Sequence, residues 1–139
     1  MVVIDRWSFR WKRVAVAVLA GEMIPIVTLI AVVAVYGAFI RAPGGESPEA
    51  FAERAGAWVG PVIGATCAFL LSQWAGHEAA RAVAQGALIG LSLAVVDVAL
   101  LVASGAPFRP LFLYSNLGKI IAGTLGGLSA HRSEHRAVV

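Results

Sequence analysis

The chain alternates between four long apolar stretches and shorter polar segments. The apolar stretches cover residues 14–40, 57–76, 83–104 and 111–130. Each reaches the ~20 residues that a helix needs to cross ~30 Å of hydrocarbon, and runs of this length are too continuous for the strands of a barrel. The pattern therefore predicts an all-α fold, a four-transmembrane-helix bundle that forms a single membrane domain over residues 1–139.

Composition and charge favour the same class of protein. The chain is 59% hydrophobic and 14% charged, with a mean hydropathy of +0.81, whereas a soluble domain is about 25% charged. The net charge of +3 comes from basic residues that cluster at the ends of the apolar stretches. We therefore expect the lipid bilayer and its anionic head groups as partners, and no nucleic acid.

The basic residues also predict the orientation of the spans. Seven Arg and Lys residues flank the spans on the side of the two termini, and three flank them on the other side. The positive-inside rule then places both termini in the cytoplasm, with residues 131–139 as a cytoplasmic tail. Because the composition is rich in Arg, Ala and Gly, it is typical of a GC-rich bacterial genome, so we expect the bacterial inner membrane, crossed several times.

Residues 1–13, M-V-V-I-D-R-W-S-F-R-W-K-R, form a basic and aromatic N-terminal segment. Ile4, Trp7 and Trp11 follow helical spacing, while Arg6 and Arg10 lie on another face. This is the pattern of a short helix in the membrane interface, bound to anionic head groups. A basic aromatic anchor without a fixed helix fits the same residues, and both interpretations stay open.

The first external loop contains signals for the start of a helix. Ser47 is suited to cap a helix, Pro48 to occupy its first position and Glu49 to lie in its first turn. We expect a short external helix that leads into the second span.

Small residues recur along three of the spans. The candidate packing positions are Gly56, Gly60, Gly64, Gly86, Gly90, Gly118, Gly123, Gly126 and Gly127. Small residues let helix backbones approach closely, which matters because lipid supplies no hydrophobic drive for helix association. The rows predict a compact bundle, and leave open whether some of the partner helices belong to a second copy or to another membrane protein.

Three ionisable residues, Glu22, Asp97 and Lys119, lie inside the spans. Each costs about 2.5–3.5 kcal/mol at mid-membrane if it has no partner. Spans three and four should form a tight antiparallel hairpin with its turn near residues 107–108, which sets Asp97 opposite Lys119, with Asn116 one turn before the lysine. The helical rise places Glu22 about 6 Å in depth from Lys119, a distance that the long lysine side chain can span. We expect one buried charge cluster of these four residues, with Glu22 as the protonated acid.

Residues equally far from the turn of a tight antiparallel hairpin face each other, which sets Gln73 opposite Gln85 in the hairpin of spans two and three. Their amides are expected to hydrogen-bond at the cytoplasmic end.

Motifs for chemistry are weak. H-E-A-A-R, residues 77–81, lacks the second histidine of the zinc-protease motif, and the single cysteine, Cys67, lies in an apolar stretch without a partner for a metal site. The chain offers no nucleophile–base set and no nucleotide-binding fingerprint. We expect no catalytic residue, no metal, no cofactor and no enzymatic activity.

Two resemblances rest on short motifs. A-G-E-M-I-P-I-V around Glu22 resembles the acid-bearing first helix of the small multidrug resistance transporters, which implies proton-coupled export through that acid. The third span departs from that family, with G-L-S-L-A-V-V-D-V in place of an aromatic-rich motif. The segments G-E-M-I-P, W-V-G-P-V-I-G and N-L-G-K-I-I-A-G-T-L-G-G resemble those of small four-helix bacterial inner-membrane proteins, which implies a fold and a location only.

The leading hypothesis is a non-enzymatic interaction or assembly subunit, with the charge cluster as a structural element. The alternative is a small proton-coupled transporter that uses Glu22 and Asp97. A water-lined cavity that reaches Glu22 would favour transport, and a dry, tightly packed interior would favour the subunit.

Overall fold

The computed structural model describes residues 9–41, 43–105 and 107–136, with side chains as far as residue 133. The chain is all-helical there, with 86% helix and no strand among the described residues. The helices are α1 (Trp11–Val35), α2 (Pro48–Gly76), α3 (Ala82–Ser104) and α4 (Pro110–Arg136), and a π-helical turn, Tyr36–Ile40, extends α1.

The predicted all-α fold is confirmed, and the four spans are confirmed in part. Three stretches of the described chain are long and apolar enough to cross a membrane: Trp11–Ile40, Pro48–Gly76 and Ala82–Ser104. Helix α4 has 27 residues, which is sufficient length, but Asn116 and Lys119 make it less apolar. A fourth span, the insertion into a membrane and the orientation of the termini stay predictions.

The helix ends partly match those expected. Ser47 caps α2 as predicted, because its hydroxyl accepts a hydrogen bond from the Ala50 backbone N–H at 3.2 Å. The predicted external helix is not separate, since α2 continues from Pro48 through the second span. Helix α4 continues to Arg136, so residues 131–136 of the predicted tail are helical. Residues 1–8 of the N-terminal segment, with Ile4, Arg6 and Trp7, lie outside the described residues.

The four helices run alternately up and down between two ends of the bundle. We call the end that holds Arg10, residues 77–81 and Arg136 the terminal end, and the end that holds residues 41–47 and 105–109 the loop end. Helix α4 packs against both α2 and α3, and α1 packs mainly against α2. Ile89 and Leu93 of α3 are the largest fully buried apolar side chains among the described residues.

Glycines bring α2, α3 and α4 into direct backbone contact. A Cβ atom added at Gly86 of α3 would collide with the Gly123 carbonyl oxygen of α4, and one at Gly127 with the Ala82 carbonyl oxygen. A Cβ at Gly90 would lie 2.6 Å from the Lys119 carbonyl oxygen. Real Cβ atoms do not approach backbone oxygens this closely, so these positions require glycine for the helices to pack as they do.

Two of the predicted packing glycines, Gly60 and Gly118, contact no other helix of the described chain. A Cβ added at Gly60 or at Gly118 would meet nothing within 4 Å, and one at Gly56 would only touch the Leu29 side chain at 3.6 Å. Gly60 and Gly118 therefore have no packing partner within the described chain, and packing against a second copy or another protein stays a prediction there. Each step of four residues rotates about 40° around a helix of 3.6 residues per turn, so a long row of small residues winds away from its neighbour.

The predicted bond between Gln73 and Gln85 is also wrong. The Gln85 amide donates to the Ala75 carbonyl at 2.6 Å and accepts from the Arg10 backbone N–H at 3.1 Å. The Gln73 amide faces α4 instead and donates to the Ser129 hydroxyl at 3.2 Å. Gln85 therefore fastens the start of α1 to the terminal end of α2 and α3.

Candidate functional site

Lys119 of α4 lies beside Asp97 of α3 inside the bundle. Its Nζ donates to Asp97 Oδ2 at 2.5 Å. The lysine side chain is 6% exposed and the aspartate side chain 19%. The structure thus brings together the two charges that a tight antiparallel hairpin sets at one depth.

Glu22 of α1 approaches the same ammonium from the other side. Glu22 Oε1 lies 3.7 Å from Lys119 Nζ, and the glutamate side chain is 10% exposed. The ammonium therefore lies between acids from two different helices. We call Glu22, Asp97 and Lys119 the ion triad. Two acids and one base give the ion triad a formal charge of −1, which one proton neutralises.

Helix α2 has a glycine, Gly64, where the Lys119 side chain crosses it. A Cβ atom added there would lie 2.7 Å from Lys119 Cε and 3.5 Å from its Nζ. The aliphatic stem of the lysine therefore passes directly over the α2 backbone on its way to the acids. All four helices meet at this point, although α1 and α4 pack little against each other elsewhere.

Asn116 lies one turn from Lys119. It was expected to belong to the charge cluster, but it bonds within its own helix. Its amide nitrogen donates to the Phe112 carbonyl at 3.0 Å within α4, and no hydrogen bond among the described atoms joins it to the ion triad. Two buried oxygens, Asn116 Oδ1 and Glu22 Oε1, have no hydrogen-bond partner among the described atoms. A buried acceptor without a donor is costly, so each of these oxygens is a place where a donor would bind favourably.

A cleft of about 460 Å³ begins at the ion triad and runs toward the loop end. Its walls are mainly apolar and come from all four helices. Between the ion triad and the loop end, the cleft is lined by residues that include Pro25, Ile26, Leu29, Gly56, Gly60, Pro61, Leu100, Leu101, Leu111, Phe112 and Ser115. The ion triad is the polar floor of this cleft.

The mouth of the cleft carries a second ion pair. Arg109 Nη2 lies 2.5 Å from Glu53 Oε1, and the two side chains are 62% and 63% exposed. Both residues line the cleft. Since Arg109 and Glu53 are exposed to solvent while the ion triad is buried, the cleft leads from the surface at the loop end to the middle of the bundle.

The cleft is the part of the site that sequence reasoning missed. Gly56 and Gly60 follow the spacing of packing positions, yet they line the cleft with Pro61. Two prolines within apolar helices, Pro25 and Pro61, were the available signal, because proline disturbs regular helix packing. Such a signal marks an irregularity but does not give its shape.

The described residues contain no group of three or more His, Cys, Asp and Glu side chains that could hold a metal ion. The chemistry of the site is therefore carried by charges, hydrogen-bond acceptors and apolar walls. No protein-family model, no curated protein and no solved structure matches the chain.

Proposed function

We propose that this chain is a small proton-coupled transporter of the bacterial inner membrane, with four spans and both termini in the cytoplasm. Three helices have the length and apolar character to span a membrane. We assign α4 as the fourth span because its ammonium group has partners on α1 and α3. A charge with such partners inside a bundle is the usual form of an intramembrane ionisable residue.

The observation that carries the proposal is the cleft that ends on the ion triad. A structural ion pair needs no access from the surface, whereas a transport site needs a path to one side of the membrane. The cleft offers this path, apolar walls for the body of a solute, and at its floor the carboxyl groups of Glu22 and Asp97 for one of its donors. A donor at Glu22 competes with the proton that neutralises the ion triad, which couples the two.

The interaction-subunit hypothesis loses one of its supports. The small residues that were compatible with a second copy are in part used inside the chain, where Gly86, Gly123 and Gly127 join α3 to α4. The hypothesis stays a prediction, and no described contact favours it over transport.

Proton movement in proteoliposomes tests the proposal. We expect at least one of a panel of small amines, amino acids and sugars to drive a pH change inside vesicles loaded with a pH-sensitive dye. Glu22→Gln removes the exchangeable proton while keeping the shape of the side chain, so it should abolish this solute-driven change.

The matched control is Glu46→Gln. Glu46 pairs with Arg54 at 2.7 Å in the external loop and does not line the cleft. This variant should transport as the native chain does. Solute-driven proton movement that survives in Glu22→Gln would show that the ion triad is not the coupling site. If no solute of the panel drives proton movement through the native chain, the subunit hypothesis is favoured.

A further inference from the structure

Helices α2, α3 and α4 form a block that cannot slide apart easily. Their contacts are between backbones, as at Gly86 and Gly123, and at Gly126, where a Cβ would collide with the Phe69 carbonyl oxygen. Interfaces of this kind have no flexible side chains that could adjust to a small movement. Any large motion of the bundle therefore has to occur elsewhere.

Helix α1 is buried against this block in one half only. Val14, Ala17, Gly21 and Glu22 are its buried residues, and no residue from 23 to 40 is buried. On the loop side of Glu22, the cleft lies between α1 and the other helices. Helix α1 is thus docked at the terminal end. At the loop end its extension contacts the start of α2, where Tyr36 stacks on Phe51 at 3.8 Å and donates to the Glu46 carbonyl at 3.3 Å, and the cleft lies between α1 and the residues of α3 and α4.

A natural pivot lies between these two halves. At Gly21 the Leu93 side chain of α3 fills the space where a Cβ would stand, at 2.8 Å. Pro25 has no N–H to donate to the Gly21 carbonyl, so the helix lacks one backbone hydrogen bond here. Glu22 of the ion triad lies within this segment, so a change of its charge acts at the pivot itself.

A surface latch holds the terminal end of α1 in place. Arg10 Nη1 lies 3.1 Å from Glu78 Oε2, and Arg13 Nη2 lies 3.8 Å from the same oxygen. Arg13 also donates to the His77 carbonyl at 3.0 Å and lies over the Trp74 ring. The Glu78 side chain is 73% exposed, and ion pairs in such places are weak and reversible.

We propose that α1 is a lever that rocks on the block of α2, α3 and α4 about the segment 21–25, and that the contact of Arg10 and Arg13 with Glu78 is its latch. In the second position the loop end of α1 closes the cleft and its terminal end opens. This motion exposes the ion triad to one end at a time. It extends the transport proposal but does not depend on the identity, or the existence, of a transported solute.

Spin-label distances in the full chain, reconstituted in lipid nanodiscs with Cys67→Ser, test the lever. The terminal pair is Lys12→Cys with Ala84→Cys, the loop pair is Ala38→Cys with Val102→Cys, and the block pair is Ala84→Cys with Arg132→Cys. All these positions are exposed. The first two pairs report on α1 against α3, and the block pair reports on α3 against α4.

Glu78→Gln removes the charge of the latch and keeps its shape. We expect the longer distances of the terminal pair to gain about threefold in population, the size of effect that a surface ion pair can have. The loop pair should shift to shorter distances in the same sample, and the block pair should not change. Glu46→Gln breaks a surface ion pair with Arg54 at the loop end and keeps the backbone carbonyl to which Tyr36 donates, so it should leave all three pairs unchanged.

Three results would overturn the lever: an unchanged terminal pair, a terminal pair that lengthens while the loop pair does not shorten, or a change in the block pair. Because the distances require no transport, a failure of the proton-movement experiment leaves this result standing, and the reverse also holds.

Discussion

Lys119→Met alone is expected to destabilise the protein more than Lys119→Met combined with Asp97→Asn. The single change leaves the Asp97 carboxylate buried without its ammonium partner, a loss that costs about 3–5 kcal/mol in buried pairs. The double change removes both charges and should restore at least about half of that free energy of unfolding. Reversible unfolding in detergent, followed by circular dichroism, gives the two values and their coupling.

The chain contains its own control for burial. Arg109 and Glu53 have the same 2.5 Å separation as Lys119 and Asp97, yet both are more than 60% exposed. Arg109→Met should therefore cost no more than about 1 kcal/mol, and adding Glu53→Gln should change little. Losses at Lys119 and Asp97 that simply add would contradict a coupled buried pair.

Gly86→Ala is the second change with a large expected effect. The new Cβ would collide with the Gly123 carbonyl oxygen and lie 2.9 Å from the Gly127 nitrogen, both of them backbone atoms of α4. Since neither atom can turn aside as a side chain could, the helices must separate, at a cost of about 1–3 kcal/mol or more. The same unfolding experiment measures it.

Gly118→Ala makes the identical change on a helix face with open space. Alanine is a better helix former than glycine by about 0.8–1 kcal/mol, so this variant should be as stable as the native chain or more stable. If the two alanine variants unfolded alike, the glycines would not set the distance between the helices.

Sequence reasoning was most successful where only distance along the helix axis mattered. In a tight antiparallel hairpin the helical rise alone sets which residues share a depth, and Asp97 and Lys119 do meet. The start of α2 at Pro48 was equally local, since it depended on Ser47 and its immediate neighbours. Such features need no knowledge of the other helices.

Features that depend on rotation and crossing angle were not accessible. Gly60 and Gly118 have the spacing of packing residues, but the direction in which each points depends on how the helix is rotated in the bundle. Gln73 turned toward Ser129 of α4 for the same reason. The cleft depends on how all four helices are arranged around it, which no spacing along a single helix encodes.

Thiol accessibility tests whether the ion triad lies at the floor of a cleft that is open to one end of the bundle. Ser115 lines the cleft one turn above Lys119, and cysteine is close to serine in size. In proteoliposomes of the Cys67→Ser chain, Ser115→Cys should react with a charged, membrane-impermeant thiol reagent added at the loop end.

Two control variants give the reaction rates with which the rate of Ser115→Cys is compared. Ser72→Cys replaces a fully buried side chain of α2, and Thr66→Cys lies on an exposed face that we assign to lipid. Both should react slowly, while Ser115→Cys should react within about tenfold of a cysteine at the loop residue Ser47. A Ser115→Cys chain as unreactive as Ser72→Cys, or one that reacts only from the terminal end, would contradict the account.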